Sequence, residues 1–386
     1  MASRHYHGNT AIAAAGASEY KRRSDKSILE LAVEACEDTL RNAGLPASEV
    51  DGIASYSLYS DSVPCGAVGA SLGIRELNYL LDMNSGGQSP SYVVMHAAMA
   101  IQMGLAKNVL VFRALKGRSG VRVGQWLAEG GATDFRLPIG VTAYPQQIAM
   151  WIRRYMIETG ATEDDLAAVV QAQRVHAARN PRAILRDPLS VEEHRKLPYV
   201  VEPLRRVDCT IEVDGAAAVL VTSRERARDL RLAPAVITGS AWASRDLDLD
   251  MGSTFLYPDF SRGIAYDVAE KLWASAGIGP ADVDVAQLYD CFSGTVILNL
   301  EGFGFCGRGE AGNFVRSGAT AIDGKLPLNT GGGLLCEGYL HGMNSIAEAV
   351  WQLQGQCPGR QVKDPRIAMV SSGVRSSGSA LVLTKE

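Results

Sequence analysis

Two rhythms of apolar and polar positions run through the chain, one with helical spacing and one with the continuous or alternating apolar character of strands. Leu29 to Ala43 reads as a helix closing at Gly44, where a left-handed C-cap is cheap, and an acidic turn then leads into an apolar strand from Gly52 to Tyr56. The same succession returns 233 residues later. Glu37 to Asp51 aligns without a gap on Glu270 to Asp284, which predicts a second helix closing at Gly277 and a second strand from Val285 to Tyr289.

Two further correspondences keep this order. Gly87 matches Gly338 and Gly104 matches Gly355, both at an offset of 251. Each pair brackets a predicted helix followed by a strand, Asn108 to Phe112 in one case and Arg366 to Val370 in the other. Asp214 to Thr222 and Ser377 to Thr384 are apolar strands entered through a tight glycine turn. A repeated strand and helix unit predicts a duplicated α/β protein whose sheets are covered by helices on their faces. The halves are residues 1–230 and 231–386, with the boundary near residues 225 to 235. Residues about 115–205 have no counterpart in the second half. Trp126, Tyr144, Trp151, Tyr155 and Pro198 give this insert an aromatic, irregular character, suited to a substrate wall, a dimer contact or both.

At 386 residues the chain is long enough for two or more cores. Hydrophobic residues make up 47% and charged residues 21%, which excludes disordered and fibrous classes. The formal net charge is -4, with no concentrated stripe of Lys and Arg, so nucleic acid is not an expected partner. Seven scattered cysteines lack the C-x-x-C spacing of a zinc site or redox pair, which points to a reducing compartment and no metal. Met1 to Thr10 lacks the apolar run of a signal peptide, and every apolar stretch falls well short of the roughly 18 residues that span a bilayer. A cytoplasmic protein without a membrane span is expected.

Three segments carry candidate chemistry. Gln287 to Phe292 lies where a strand ends and a helix begins, the place where α/β folds form sites. Tyr289 and Asp290 face a cleft on this reading, with Ser293 as helix cap; the alternative is a buried tyrosine beside an N-cap. Asn329 to Asn344 has glycines at 331, 332, 333, 338 and 342, which allow a close backbone turn before a helix and set Tyr339 and His341 on it. Gly332 on that turn, and Gly373 in the small-residue loop Ser371 to Gly378, offer backbone amides to an oxyanion. Cys291, Cys306 and Cys336 lie in or near these segments, but a buried free Cys is more often a small hydrophobe than a nucleophile. His96 and His176 read as core or surface residues.

Together, the duplicated halves, the Tyr289-Asp-Cys-Phe292 motif and the Gly332 to Asn344 loop resemble the thiolase superfamily, specifically its sterol carrier protein x-like or lipid-transfer-protein-like branch, over nearly the whole chain. The resemblance implies a thiolase fold, with two strand-helix halves packed back to back. A thiolase uses a nucleophilic Cys at the start of a first-half helix, a Gly-His-Pro loop in the second half and a second Cys near the carboxyl terminus. This chain departs at all three places. The nucleophile position falls at Gly86 or Gly87, Gly338-Tyr-Leu-His-Gly342 puts Tyr339 at the His position, and Ser371-Ser-Gly373 replaces the second Cys motif.

These departures resemble the thiolase-like aldolases that shorten steroid side chains, which carry tyrosines at the positions of Tyr289 and Tyr339. That implies retro-aldol cleavage of a β-hydroxyacyl-CoA to acetyl-CoA or propionyl-CoA plus a ketone or aldehyde. Tyr289 and Tyr339 would transfer the protons, with His341 and backbone amides as helpers. The resemblance also implies no cofactor beyond the CoA of the substrate, a homodimer, and a small OB-fold, zinc-ribbon partner protein that completes a heterotetramer. Two alternatives stand beside it: an acyl-CoA thiolase or acyltransferase using Cys291 or Cys336 in a displaced role, and a non-catalytic CoA-binding scaffold.

Overall fold

The computed structural model describes residues 8–58, 60–120, 137–245, 259–374 and 376–386. Trp126 and the first seven residues, on which two of the expectations rest, lie outside them. The first half runs β1 (Thr10–Ala17), α1 (Ile28–Ala43), β2 (Gly52–Ser57), α2 (Cys65–Ser71), β3 (Tyr79–Asn84), α3 (Pro90–Gln102) and β4 (Asn108–Lys116). The insert contributes α4 (Tyr144–Thr159), α5 (Glu163–Ala177), α6 (Val191–Lys196) and a ribbon of β5 (Tyr199–Val201) and β6 (Leu204–Arg205). β7 (Asp214–Ser223) closes the half, and the short α7 (Arg224–Arg228) follows. The second half comprises β8 (Ala235–Ser244), α8 (Ala265–Ala276), β9 (Val285–Gln287), α9 (Ser293–Gly302), α10 (Ala311–Arg316), α11 (Gly333–Cys336), α12 (Met343–Leu353), β10 (Ile367–Gly373) and β11 (Ser377–Lys385).

Nine strands form one sheet in the order β3-β2-β4-β7-β1-β8-β11-β10-β9. Outward from its centre the two sides repeat. β1 with β7 and β8 with β11 are antiparallel, as are β7 with β4 and β11 with β10, whereas β4 with β2 and β10 with β9 are parallel. Even β3, parallel to β2, has an echo in the parallel bridge between Leu328 and Ala286. The halves are also joined edge to edge, through Ala11 with Val236 and Ile12 with Ala235, which the expectation of two bodies back to back did not include.

Helices cover the half-sheets in layers. α1 packs on β1, β4 and β7, and α8 on β8 and β11, while α3 and α12 touch strands of both halves and lie between them. The sequences follow from this placement: α12 is buried on every side, whereas α1 keeps an exposed face. A capping box starts α1, with Ser27 Oγ accepting from Glu30 N at 3.1 Å and Glu30 Oε2 from Ser27 N at 2.7 Å. The paired glycines end their helices alike, Gly44 and Gly277 at φ 71° and 69°, Gly104 and Gly355 both at 72°.

Two elements differ from expectation. β9 stops at Gln287 because side chains take over its ladder: Asn329 Oδ1 accepts from Leu288 N at 2.8 Å, and Ser371 Oγ from Tyr289 N at 2.9 Å. The described part of the insert is chiefly helical rather than irregular. Its aromatics sit at helical spacing, with Ile148, Trp151, Ile152 and Tyr155 forming the buried stripe of α4. Among the described residues no helix is long and apolar enough to cross a membrane.

Candidate active site

Strand ends and helix starts from both halves meet at one place. Tyr56 ends β2, Arg113 lies on β4, Tyr289 stands two residues past β9, and Ser371 and Ser372 lie on β10. Opposite them α3 begins at Pro90 and α12 at Met343. Gly342 fits between these parts, for a Cβ there would lie 3.2 Å from Pro90 Cγ and 3.3 Å from the Tyr289 ring. Ser91 Oγ and Ser372 Oγ, 2.9 Å apart, tie the start of α3 to β10.

The hydroxyls of Tyr289 and Tyr339 are 3.0 Å apart, within hydrogen-bond distance. Tyr289 is buried and Tyr339 half-buried. A Cβ on Gly87 would lie 1.8 Å from the Tyr289 hydroxyl oxygen, so that hydroxyl fills the place of any side chain at position 87. A cysteine there and this tyrosine rotamer exclude one another. Burial raises both hydroxyls above the ordinary tyrosine range. Tyr339, Cys291 and Tyr56 push Tyr289 further up, whereas on Tyr339 the hydrogen bond with Tyr289 and the charge of Arg113 act downward.

His341 joins the tyrosines, its ring set edge-on to that of Tyr339 with centroids 4.8 Å apart. It is a buried residue at φ 53°, held there by Tyr56 Oη donating to its carbonyl at 3.2 Å. Arg113 Nη2 donates to its Nδ1 at 2.8 Å. A guanidinium only donates, so Nδ1 is the acceptor and the ring proton of the neutral form sits on Nε2. Burial, and then the Arg113 charge, hold His341 well below its ordinary value.

Arg113 and Asp61 were not singled out in the sequence. Arg113 is fully buried, with Nη2 bonded to both oxygens of Asp61 at 2.7 Å and Nη1 to the Tyr56 carbonyl at 2.8 Å. The signal available was an arginine interrupting the apolar run Val109 to Leu115. Its face of β4 is that of Val109, Val111 and Leu115, which looks toward α3 and α12.

Other expected residues sit elsewhere. The Gly332 amide donates to Asn329 O at 2.8 Å and a Cβ there would strike Ala177 of α5, so Gly332 is a packed turn rather than an open oxyanion donor. Gly373 belongs to the ladder, opposite Gly378, and backs onto Gln88. Asp290 turns away from the cleft and accepts from Leu334 N at 2.9 Å and Leu335 N at 3.2 Å; burial pushes its carboxyl up to about 7. Ser293 does not cap α9, since its hydroxyl donates to Asp208 at 2.6 Å and Phe292 occupies the cap position. His176 is buried and His96 half-buried.

The underside of the Gly338 to Gly342 loop is a buried polar cluster. Asn344 Nδ2 bonds Glu337 Oε2 at 2.8 Å and the Gly338 carbonyl at 3.1 Å, which fixes the backbone just before Tyr339. None of the seven cysteines is in a disulfide. Burial pushes the Cys336 and Cys306 thiols up to about 12, out of range for a nucleophile near neutral pH. Cys291 is buried beside both tyrosines. Among the described residues no cluster of His, Cys, Asp and Glu is arranged to hold a metal ion.

Residues 253–385 match the family model described as Thiolase C-terminal domain-like. A 17-hydroxy-3-oxo-4-pregnene-20-carboxyl-CoA lyase of Mycobacterium tuberculosis is 40% identical over 97% of this chain and 99% of its own. A steroid side-chain-cleaving aldolase of Thermomonospora curvata is 39% identical over 97% and 98%. The solved structure of an Ltp2-ChsH2(DUF35) aldolase superposes with a TM-score of 0.92 at 39% identity, covering 98% of both chains. These likenesses run over nearly the whole chain and place it in the thiolase superfamily, within its branch of thiolase-like aldolases.

Proposed function

We propose that the protein cleaves a carbon-carbon bond of a β-hydroxyacyl-CoA by a retro-aldol reaction, on a steroid or related side chain. The observation that carries this is the tyrosine pair, two hydroxyls 3.0 Å apart with one of them filling the space of a side chain at position 87. An acyl-enzyme route has no nucleophile at that position, and the deeply buried Cys336 thiol is a poor substitute.

The reaction needs only proton transfers and charge stabilisation. A deprotonated tyrosine takes the proton of the substrate β-hydroxyl, whose oxygen becomes a carbonyl as the bond between the α- and β-carbons breaks. The electron pair of that bond passes into the thioester enolate. A proton from the other tyrosine then goes to the α-carbon, giving the short acyl-CoA, acetyl or propionyl, and a ketone or aldehyde. One proton leaves oxygen and one arrives at carbon, so no oxidant, reductant or cofactor beyond substrate CoA is required. The Nε2–H of His341, beside Tyr339, is suited to donate to the enolate oxygen.

The names and extent of the relatives support the steroid class. The insert reaches the site, since Tyr144 at the start of α4 acts electrostatically on Tyr339, which supports a role as substrate wall. A homodimer is supported by β3, an edge strand with Leu80 exposed. A small DUF35-type partner is supported by the assembly named for the solved relative. Cysteines outside any disulfide are in keeping with a reducing cytoplasmic setting.

The test offers a steroid β-hydroxyacyl-CoA to the protein, alone and with a co-expressed DUF35 protein, and follows acyl-CoA release and the carbonyl product. Cleavage is expected, without any mass adduct on the intact chain after incubation with acetyl-CoA or acetoacetyl-CoA. A stoichiometric acyl adduct would overturn the reading.

A further inference from the structure

A phenol with an ordinary pKa of about 10 is a weak acid that keeps its proton at neutral pH, and burial makes both tyrosines weaker acids still. Loss of a proton from the pair therefore needs positive charge held close by. We propose that Arg113, braced by Asp61, is a positioning residue of the site: it fixes His341 as the neutral Nε2–H tautomer and supplies the positive potential under which the tyrosine pair gives up a proton. The inference rests on the aldolase reading for its chemistry and on the geometry of β4 for its placement.

The geometry is one-directional. Nη2 of Arg113 is shared between the Asp61 carboxylate and His341 Nδ1, so one nitrogen ties the imidazole to the carboxylate that braces the guanidinium. His341 in turn stands edge-on to Tyr339, which puts the charge on the Tyr339 side of the pair. A buried ion pair in a sheet is rarely a gain over well-packed apolar residues, so mere stability gives little reason for an arginine on this otherwise apolar face.

Apart from Tyr289, the other groups around Tyr339 oppose Arg113 or are bonded locally. Cys291, from the junction after β9, and Tyr144, from α4, both act to raise its hydroxyl. Glu337, on its own loop, is bonded by Asn180 and Asn344 at 2.9 and 2.8 Å. Glu212, whose backbone bridges to Tyr339, pairs with Arg118 at 3.7 Å. The hydrogen bond shared with the Tyr289 hydroxyl acts downward, in the same sense as Arg113.

Arg113→Met alone strands a buried Asp61 and is prone to misfold, so the informative variant is Arg113→Met with Asp61→Asn, compared with Arg113→Lys. In the folded double variant, kcat is expected to fall about 10²-fold with KM changed little. The base works deprotonated, so removing the cation raises its pKa, and the acid limb of kcat/KM should move up by about one pH unit or more. Arg113→Lys, which keeps the charge, should hold that limb near wild type. A folded double variant with wild-type limb and turnover would overturn the proposal.

Two readouts do not depend on turnover. The ¹⁵N spectrum of His341 should show the Nε2–H tautomer in the wild type and lose that fixed state in the double variant. The tyrosinate absorbance titration, taken as wild type minus Tyr339→Phe, should shift to higher pH in the double variant. If the wild type cleaves no β-hydroxyacyl-CoA the aldolase reading fails, and these two measurements still decide the role of Arg113. An unchanged His341 spectrum and an unchanged titration in the double variant would sink it.

Discussion

The two entrances to the central helices, Asn84 to Ser89 before α3 and Gly338 to Gly342 before α12, occupy equivalent places in the duplicated fold and have opposite chemistry. The first has no titratable side chain and keeps a bare Gly87 under the Tyr289 hydroxyl. The second carries Tyr339 and His341 on a strained backbone. The strand ends beside them pair up as well: Tyr56 and Tyr289 are duplicates, and each reaches the same loop, one at the His341 carbonyl and the other at the Tyr339 hydroxyl. Where a thiolase puts its nucleophile on the first half, this chain supplies space and a buried cation there, and the proposed mechanism leaves the proton chemistry to the second.

The largest effect should come from removing the hydroxyls. Tyr289→Phe and Tyr339→Phe take away one oxygen each and almost no volume, so turnover is expected to drop about 10²- to 10⁴-fold while the melting temperature stays close to wild type. The double variant should be far less impaired than the product of the two losses, as for groups acting as a unit. Near-wild-type turnover in folded Tyr339→Phe would break the comparison at its core.

Next comes Gly87→Ala, which restores a side chain to the emptied entrance. Its Cβ collides with the Tyr289 hydroxyl, and displacement of that group by about 1 Å should cost about 10²-fold in kcat. Gly87→Cys should behave alike and form no acyl adduct by mass spectrometry. A gain of thiolytic activity would show that the two entrances are still interchangeable.

A smaller effect concerns Asp290, whose duplicate is Ser57. Its folded carboxyl titrates near about 7, against about 3.9 for an unfolded Asp. Between those values the folded chain holds a proton that the unfolded chain has lost, so stability falls as pH rises through this window and is flat above it. Asp290→Asn should flatten that part of the slope, seen in denaturation midpoints from pH 4 to 8, and an unchanged slope would reject the assignment.

The smallest difference should be none at all. Gly104 and Gly355 share a φ of 72° and have no neighbour within 4 Å of an added Cβ. Replacing either by Ala should cost about 1 to 2 kcal/mol from the left-handed conformation alone, and by equal amounts. A clear inequality in chemical denaturation would mean that the caps, unlike the strands, have ceased to be equivalent.

Much of this was legible because it is local. Gly44, Gly277, Gly104 and Gly355 announce left-handed caps, and Asp214 to Thr222 or Ser377 to Thr384 can only be strands in such a chain. Tyr339 and His341 stood out by their glycine setting. What escaped was non-local: Arg113 and Asp61 lie 52 residues apart and acquire meaning only where β4 and the loop after β2 converge on His341. Ser293 looked like a cap because its partner Asp208, 85 residues earlier, is brought in by the exit of the insert. The helices of the insert were obscured because bulky aromatics on the stripe of α4 read as irregularity.

Since α3 and α12 each pack on strands of both halves, a cut between the halves near residue 230 should leave neither piece with a complete core, despite the internal repeat. Residues 1–230 made alone would leave one side of α3 facing water, and residues 231–386 would do the same with α12. Supplied together, the fragments should dock through those helices and the β1·β8 seam and rebuild a single catalytic centre, each contributing what the other lacks. Fragment complementation in this protein is expected to be an all-or-none event, with neither piece folding first to wait for its mate.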